Sequence, residues 1–308
     1  MALRLSVKPL PDLVAVVLWM AGALLSFSTT AIAVRELAPA LGLFDILAAR
    51  AAAGVAIVGA VALLRRRPLP ARRMPLHLAR NLVHWGGNYA WSYGVTLLPL
   101  AVVFALEFTT PAWVTLLAVL ILRERLTASR LAAVSLGFLG VLVVLRPGLA
   151  ALQPASLVVL LSAVMFALTA VATKALTRTE SVLSILFWMN LIQLPLNLVA
   201  GRLFPGLPAH AFEGRHALAL AAVCLAGLTS HWCLTSAYRR GDAILVMPLD
   251  FLRIPLIAVL GWQLYGETLD PWLFVGAGLI VGGIVWNLAA EARRQAPAPV
   301  AEEAAKGA

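Results

Sequence analysis

Long apolar runs separated by short clusters of charge set the rhythm of this 308-residue chain. Ten runs can be drawn, over about 12–34, 41–63, 78–97, 100–121, 128–146, 155–175, 181–200, 217–238, 243–264 and 270–290. Each is about 20 residues long, the length of an α-helix that crosses the hydrocarbon while satisfying its own backbone hydrogen bonds. The pattern predicts an all-α integral membrane protein of ten transmembrane helices. Arg146-Pro147-Gly148 stops a helix midway, so the runs divide into units of five, 12–146 and 155–290. The residues after Glu291 have no apolar periodicity, and 291–308 is expected to be a disordered cytoplasmic tail. Thr30-Ala31-Ile32-Ala33 could pass for a signal-peptide cleavage site, but nine further runs favour an uncleaved first helix.

The two units repeat one another. A shift of 143 positions lays Leu106, Glu107, Phe108, Leu117, Glu124, Leu126, Leu136 and Gly140 on Leu249, Asp250, Phe251, Leu260, Glu267, Leu269, Leu279 and Gly283. In each copy an acid opens an apolar run, a proline follows (Pro111, Pro255), and a glutamate closes the run.

Composition agrees with lipid as the solvent. The chain is 62% hydrophobic and 12% charged, against about 25% charged in soluble domains. A net charge of +10 could suggest nucleic acid, but the charge lies in short clusters between apolar runs rather than in one solvated patch. Those clusters instead set orientation. With the N-terminus inside, eighteen of the twenty-four Lys and Arg fall in cytoplasmic segments and four outside (Arg35, Arg146, Arg202, Arg215). Only Arg50 and Arg253 lie within spans. An odd number of helices per unit inverts the second unit relative to the first, the architecture of alternating-access carriers, with both termini cytoplasmic. Cys224 and Cys233 share one apolar run and read as small buried hydrophobes, not as a disulfide or metal site.

Specific residues carry a family resemblance. In the first unit they are Arg50, Leu97-Leu98-Pro99, Arg123-Glu124-Arg125-Leu126, Gly137 and Gly140; in the second, Arg240-Gly241-Asp242-Ala243, Met247-Pro248-Leu249-Asp250-Phe251 and Tyr265-Gly266-Glu267. On these the chain resembles the drug/metabolite transporter superfamily, ten-helix carriers built from two EamA domains, over about 12–290. The resemblance implies a carrier for small organic solutes in a bacterial inner membrane, most often working outward. The expectation is an exporter of a small polar or zwitterionic metabolite, such as an amino-acid-derived or metallophore-like compound. The alternative is an uptake carrier for a vitamin or nucleoside-like cofactor. A membrane-embedded enzyme is disfavoured, since the chain has neither His-Glu-x-x-His nor Gly-x-Ser-x-Gly and no His/Cys/Asp cluster with metal spacing. No cofactor is expected; the expected partners are the solute, the bilayer, a coupled proton and a second copy of the chain.

Ionisable groups at hydrocarbon depth cost about 2.5–3.5 kcal/mol and need a reason. Glu107 and Asp250 each lie about seven residues, roughly 10 Å of helix, from opposite membrane faces, and are candidates for contacting a cationic or zwitterionic solute or carrying a proton. Arg253, three residues after Asp250, could instead neutralise it in a structural pair. Arg50 either faces the cavity, with Gln193 as its repeat mate, or snorkels to the interface or pairs loosely with Asp45. His84, Trp85, Asn88, Tyr89 and Trp91, then His231 and Trp232, offer aromatic and hydrogen-bonding walls, or else belt and packing residues. Glu124 and Glu267 read as helix-end residues holding neighbouring loops, Pro111 and Pro255 as kinks near the acids, and Gly137, Gly140, Gly276, Gly278, Gly282 and Gly283 as sites of close helix approach.

Overall fold

A computed structural model describes residues 10–37, 40–98, 103, 106–146, 154–204, 213–265 and 271–295. Among them there are helices and turns and no strands. The helices are α1 (Leu10–Leu37), α2 (Leu43–Leu64), α3 (Met74–Leu97), α4 (Thr110–Leu117), α5 (Ala128–Leu145), α6 (Pro154–Leu176), α7 (Val182–Leu203), α8 (Gly214–Arg240), α9 (Ala243–Val246), α10 (Arg253–Tyr265) and α11 (Pro271–Gln295). Seven segments are long and apolar enough to cross a membrane, and α4 and α5 belong to shorter apolar helices. α3 has the length but carries His77, Arg80, Asn81, His84 and Asn88, polar groups that need partners inside the bundle. α11 runs to Gln295, five residues into the stretch expected to be a tail, because Glu291 is held by Arg130 at 3.1 Å. Residues 296–308 and Glu267 lie outside the described residues.

The helices pack in antiparallel pairs: α1 on α8, α2 on α7, α3 on α6 and α5 on α11. Along α1 and α8, Gly22 meets Cys233 while Ser26 meets Thr229; along α3 and α6, Gly86 meets Met165 while Gly94 meets Val159. Exchanging the halves of the chain leaves this set of pairs unchanged. Carried through the 143-residue offset, the Gly22 and Cys233 contact becomes positions 165 and 90, close to the observed contact of Met165 with Gly86.

The two helices expected to kink are broken. In the first, Leu106 and Glu107 are helical, Phe108 and Thr109 form a turn, α4 follows, and Ala118–Leu122 widens into a π-helical turn. In the second, α9 passes into a 3-10 stretch, Met247–Leu252, before α10. Both breaks precede the prolines named above. A proline has no N–H for the carbonyl four residues back; for Pro111 that is Glu107, whose carbonyl accepts from Thr110 Oγ1 at 2.5 Å. Thr109 Oγ1 likewise donates to the Leu106 carbonyl at 2.6 Å.

The largest buried cluster joins α1, α4, α6, α8 and the α9 region, with Val16, Met20, Val114, Val171, Tyr238 and Ile244 among its members. It lies toward the arginine-rich end, which polar contacts also close. Glu124 accepts from the Ala243 and Ile244 amides at 2.9 and 3.0 Å, capping α9 from the other half of the chain. Arg130 reaches Asp242 and Glu291, both at 3.1 Å, and Lys174 Nζ donates to the Tyr238 and Gly241 carbonyls. Glu124 is thus a helix-end residue that holds a neighbouring segment, through its cap on α9.

The glycines divide in two. A Cβ on Gly140 would stand 2.6 Å from the Gly276 carbonyl, whereas nothing lies within 4 Å of one on Gly278 or Gly282. Gly140→Ala is therefore expected to force α5 and α11 apart and lower the thermal unfolding midpoint by several degrees, an overpacking cost of about 1–3 kcal/mol. Gly282→Ala, measured alongside, should be neutral or stabilising.

Candidate functional site

The broken helices bring both repeat acids to one cation. Arg253 donates through its NH2 to Glu107 Oε1 at 2.9 Å and to Asp250 Oδ2 at 3.1 Å. Arg253 does neutralise Asp250, as a local pair would, but it also takes Glu107, whose partner thus comes from the other half of the chain. Trp91 on α3 donates its indole N–H to Glu107 Oε2 at 2.8 Å, occupying the second carboxylate oxygen. The guanidinium stands 5.0 Å from the Phe108 ring centre and 5.8 Å from that of Phe27, within cation–π range. The repeat mates Phe108 and Phe251 stack on each other at 6.0 Å. The three charged side chains are 12–19% exposed, so the cluster is shielded but not sealed. Two carboxylates share one guanidinium, leaving one negative charge in excess.

Phe27 links this cluster to a second. Its ring meets His231 edge-on at 5.8 Å; His231 meets His84 edge-on at 5.7 Å; His84 meets Phe166 at 5.9 Å. His84 Nδ1 is buried without a hydrogen-bond partner. Arg50 enters beside these rings: its side chain lies over Gly227, where a Cβ would come within 2.3 Å of Arg50 Cδ. Its charge and that of Arg80, one turn before His84 on α3, are both in electrostatic reach of the two imidazoles. No ion pair joins Arg50 to Asp45, which is exposed and lies beside Gly201 instead.

The remaining expected wall residues go elsewhere. Trp85 stacks on Tyr89 at 6.4 Å, and Tyr89 approaches Phe204 at 5.7 Å, forming an aromatic patch between α3 and α7 with Phe44 of α2. Trp85 also lines an apolar pocket of about 200 Å³ against Pro195 and Phe204. Trp232 packs against the buried cluster of Val58, Val182, Leu186 and Met189. Asn88 is partly buried on the α3 face that carries His84. Gln193 is buried and donates to Asn81 Oδ1 at 3.0 Å. Nothing in the sequence marked Phe27 or Phe166; Phe108 was marked only as the repeat mate of Phe251 beside an acid.

The EamA-like transporter family matches residues 14–146 and 153–289, nearly the whole chain. The chain belongs to that family. It is 32% identical over 285 residues to a riboflavin transporter of Rhizobium johnstonii, covering 90% of this chain and 92% of the relative. It is 26% identical to an S-adenosylmethionine uptake transporter of Rickettsia prowazekii, covering 73% and 76%. One solved crystal structure shares the fold with a TM-score of 0.79 at 21% identity, covering 91% of this chain and 99% of that one. This EamA transporter is thus a multi-pass membrane protein that moves a small molecule, not an enzyme.

Within it, removing one partner of a shielded ion pair leaves an uncompensated charge, at a cost of about 3–5 kcal/mol. Arg253→Met should therefore strongly lower the thermal unfolding midpoint of the purified transporter. The triple variant Arg253→Met/Glu107→Gln/Asp250→Asn should recover most of that loss, because it leaves no charge behind.

Proposed function

We propose that this transporter carries a planar, nucleoside-like vitamin of the flavin class into the cell, with riboflavin as the probe solute. The observation that carries the reading is the ring surface running from Phe166 through His84, His231 and Phe27 to Arg253. Flat rings packed edge-on present faces and edges to an aromatic solute, and Arg50 and the free His84 nitrogen supply the polar contacts that orient it. A flavin ring offers imide carbonyls that a guanidinium recognises. Similarity to riboflavin transporters at 32% and 31% identity supports the same solute class.

A polar or zwitterionic solute is the second reading, and export is its direction. It is favoured by the excess carboxylate charge at Glu107 and Asp250, which a cationic group would neutralise. The same excess suits a coupled proton, taken up when no cation is present. In either case the ten runs act as two inverted repeats in alternating access, a reading supported by antiparallel pairs that survive exchange of the halves. The arginine-rich end faces the cytoplasm of a bacterial inner membrane by the positive-inside rule. The large buried cluster and the contacts of Glu124, Arg130 and Lys174 then close the cytoplasmic side.

The test is riboflavin counterflow in proteoliposomes. Saturable exchange is expected, with apparent affinity falling about 10- to 100-fold in Arg50→Gln, the loss of one charged hydrogen bond. Absence of riboflavin exchange, together with exchange of a cationic metabolite, would replace the first reading with the second.

Coupling is tested in the same vesicles. Glu107→Gln and Asp250→Asn should each lose accumulation driven by a pH gradient while retaining some exchange. Full gradient-driven accumulation in both variants would exclude these acids as the coupling site.

A further inference from the structure

A further buried cation, Arg80, lies one turn before His84 on α3 and has no carboxylate partner among the described residues. Arg80, two turns into α3, is 4% exposed. It donates from Nε to Thr173 Oγ1 at 3.0 Å and from NH1 to Asn81 Oδ1 at 2.9 Å, both neutral acceptors. Glu180, an acid at the same end of the bundle, is already engaged by His77 at 2.7 Å and by the Arg73 amide at 3.0 Å. Among the described residues no carboxylate pairs with Arg80, so the buried guanidinium is left with neutral acceptors alone. Such a charge is costly unless an anion meets it.

Arg80 lines a pocket of about 280 Å³ between α3, the π-helical turn after α4, and α6. Arg73, the non-helical residue that precedes α3, lines it too, nearer the end of the bundle. The remaining walls are apolar, and two of them, Ile121 and Leu168, are 57% and 36% exposed on the outer surface, where acyl chains would lie. The pocket therefore offers two guanidinium groups and an apolar wall that continues onto the outer surface.

We propose that this pocket binds one anionic phospholipid, with its phosphate between Arg73 and Arg80 and an acyl chain along Ile121 and Leu168. A phosphate accepts from two arginines through short charge-assisted bonds. A net negative headgroup fits better than a zwitterionic one, whose cation would be brought against Arg73. The lipid touches α3 and the π-helical turn from one half of the chain and α6 from the other, so its occupancy holds the arginine-rich end closed. This proposal does not depend on which solute is carried.

The test uses the full-length protein in detergent, titrated with short-chain phosphatidylglycerol, short-chain phosphatidylcholine or inorganic phosphate, and read by thermal unfolding and by lipid retention in native mass spectrometry. Phosphatidylglycerol alone should raise the unfolding midpoint and remain as a single adduct. Arg80→Gln should reduce its retention about tenfold or more. Arg73→Gln should weaken it less, and Ala172→Trp, which fills the pocket while keeping both arginines, should abolish it. Arg66→Gln/Arg67→Gln, on the neighbouring loop, should leave it unchanged. Should Arg80→Gln not fold, Ala172→Trp and Arg73→Gln decide. Equal retention of phosphatidylcholine, undiminished retention in Ala172→Trp, or loss of retention in the loop variant would each overturn the proposal. Stabilisation by inorganic phosphate as strong as by phosphatidylglycerol would replace the lipid with a free anion.

Discussion

A carbonyl or charge at hydrocarbon depth has no water to turn to, and around the two helix breaks the freed groups are met by side chains. Pro111 frees the Glu107 carbonyl, and Thr110 takes it. The Glu107 carboxylate then needs donors and receives two, from Arg253 and Trp91. Arg253 in turn lies against the rings of Phe27 and Phe108, which tolerate a cation while excluding lipid. At the arginine-rich end the same demand brings Lys174 onto the terminal carbonyls of α8, where the helix dipole is negative. Each break in a helix thus requires a side chain elsewhere, and these side chains tie the two halves of the chain together.

The apolar runs were legible because the bilayer imposes one length on every helix, and period and length alone separate them. Their interruptions were only half legible. Proline says where a helix bends, but not that Phe108 and Thr109 leave the helix or that Ala118–Leu122 widens, since both depend on which neighbours accept the freed groups. The Glu107 partner was missed for a related reason. A search three or four residues away finds only partners on the same helix, whereas Arg253 is 146 residues distant. The repeat held the needed information, because it sets Asp250 opposite Glu107 and Arg253 follows Asp250 by one turn. Phe27 had no such signal; a phenylalanine in an apolar helix shows its face only once its neighbours are known.

Symmetry of the backbone and asymmetry of the side chains do different work. The offset that pairs Glu107 with Asp250 pairs Arg253 with Thr110, so two acids meet but only one cation does. It also pairs His84 with Gly227, and that missing side chain makes room for Arg50, since a Cβ there would collide with it. The repeat mate of Arg50, Gln193, is absorbed into hydrogen bonds with Asn81. Duplication supplies a frame in which two broken helices face each other; the differences between the copies make the centre of that frame chemically one-sided.

The central ion cluster is also not the strongest its residues could form. Arginine binds a carboxylate best through a two-pronged fork, with two parallel hydrogen bonds. Here one nitrogen, NH2, serves both Glu107 and Asp250, while Nε is buried without a partner. Dividing one donor between two acids from opposite halves of the chain makes each bond weaker than a full fork to either acid alone. A rotation of the guanidinium that completes a fork on one acid would therefore recover on that side much of what it gives up on the other. A rigid structural bridge would gain from the fork, which this shared contact forgoes.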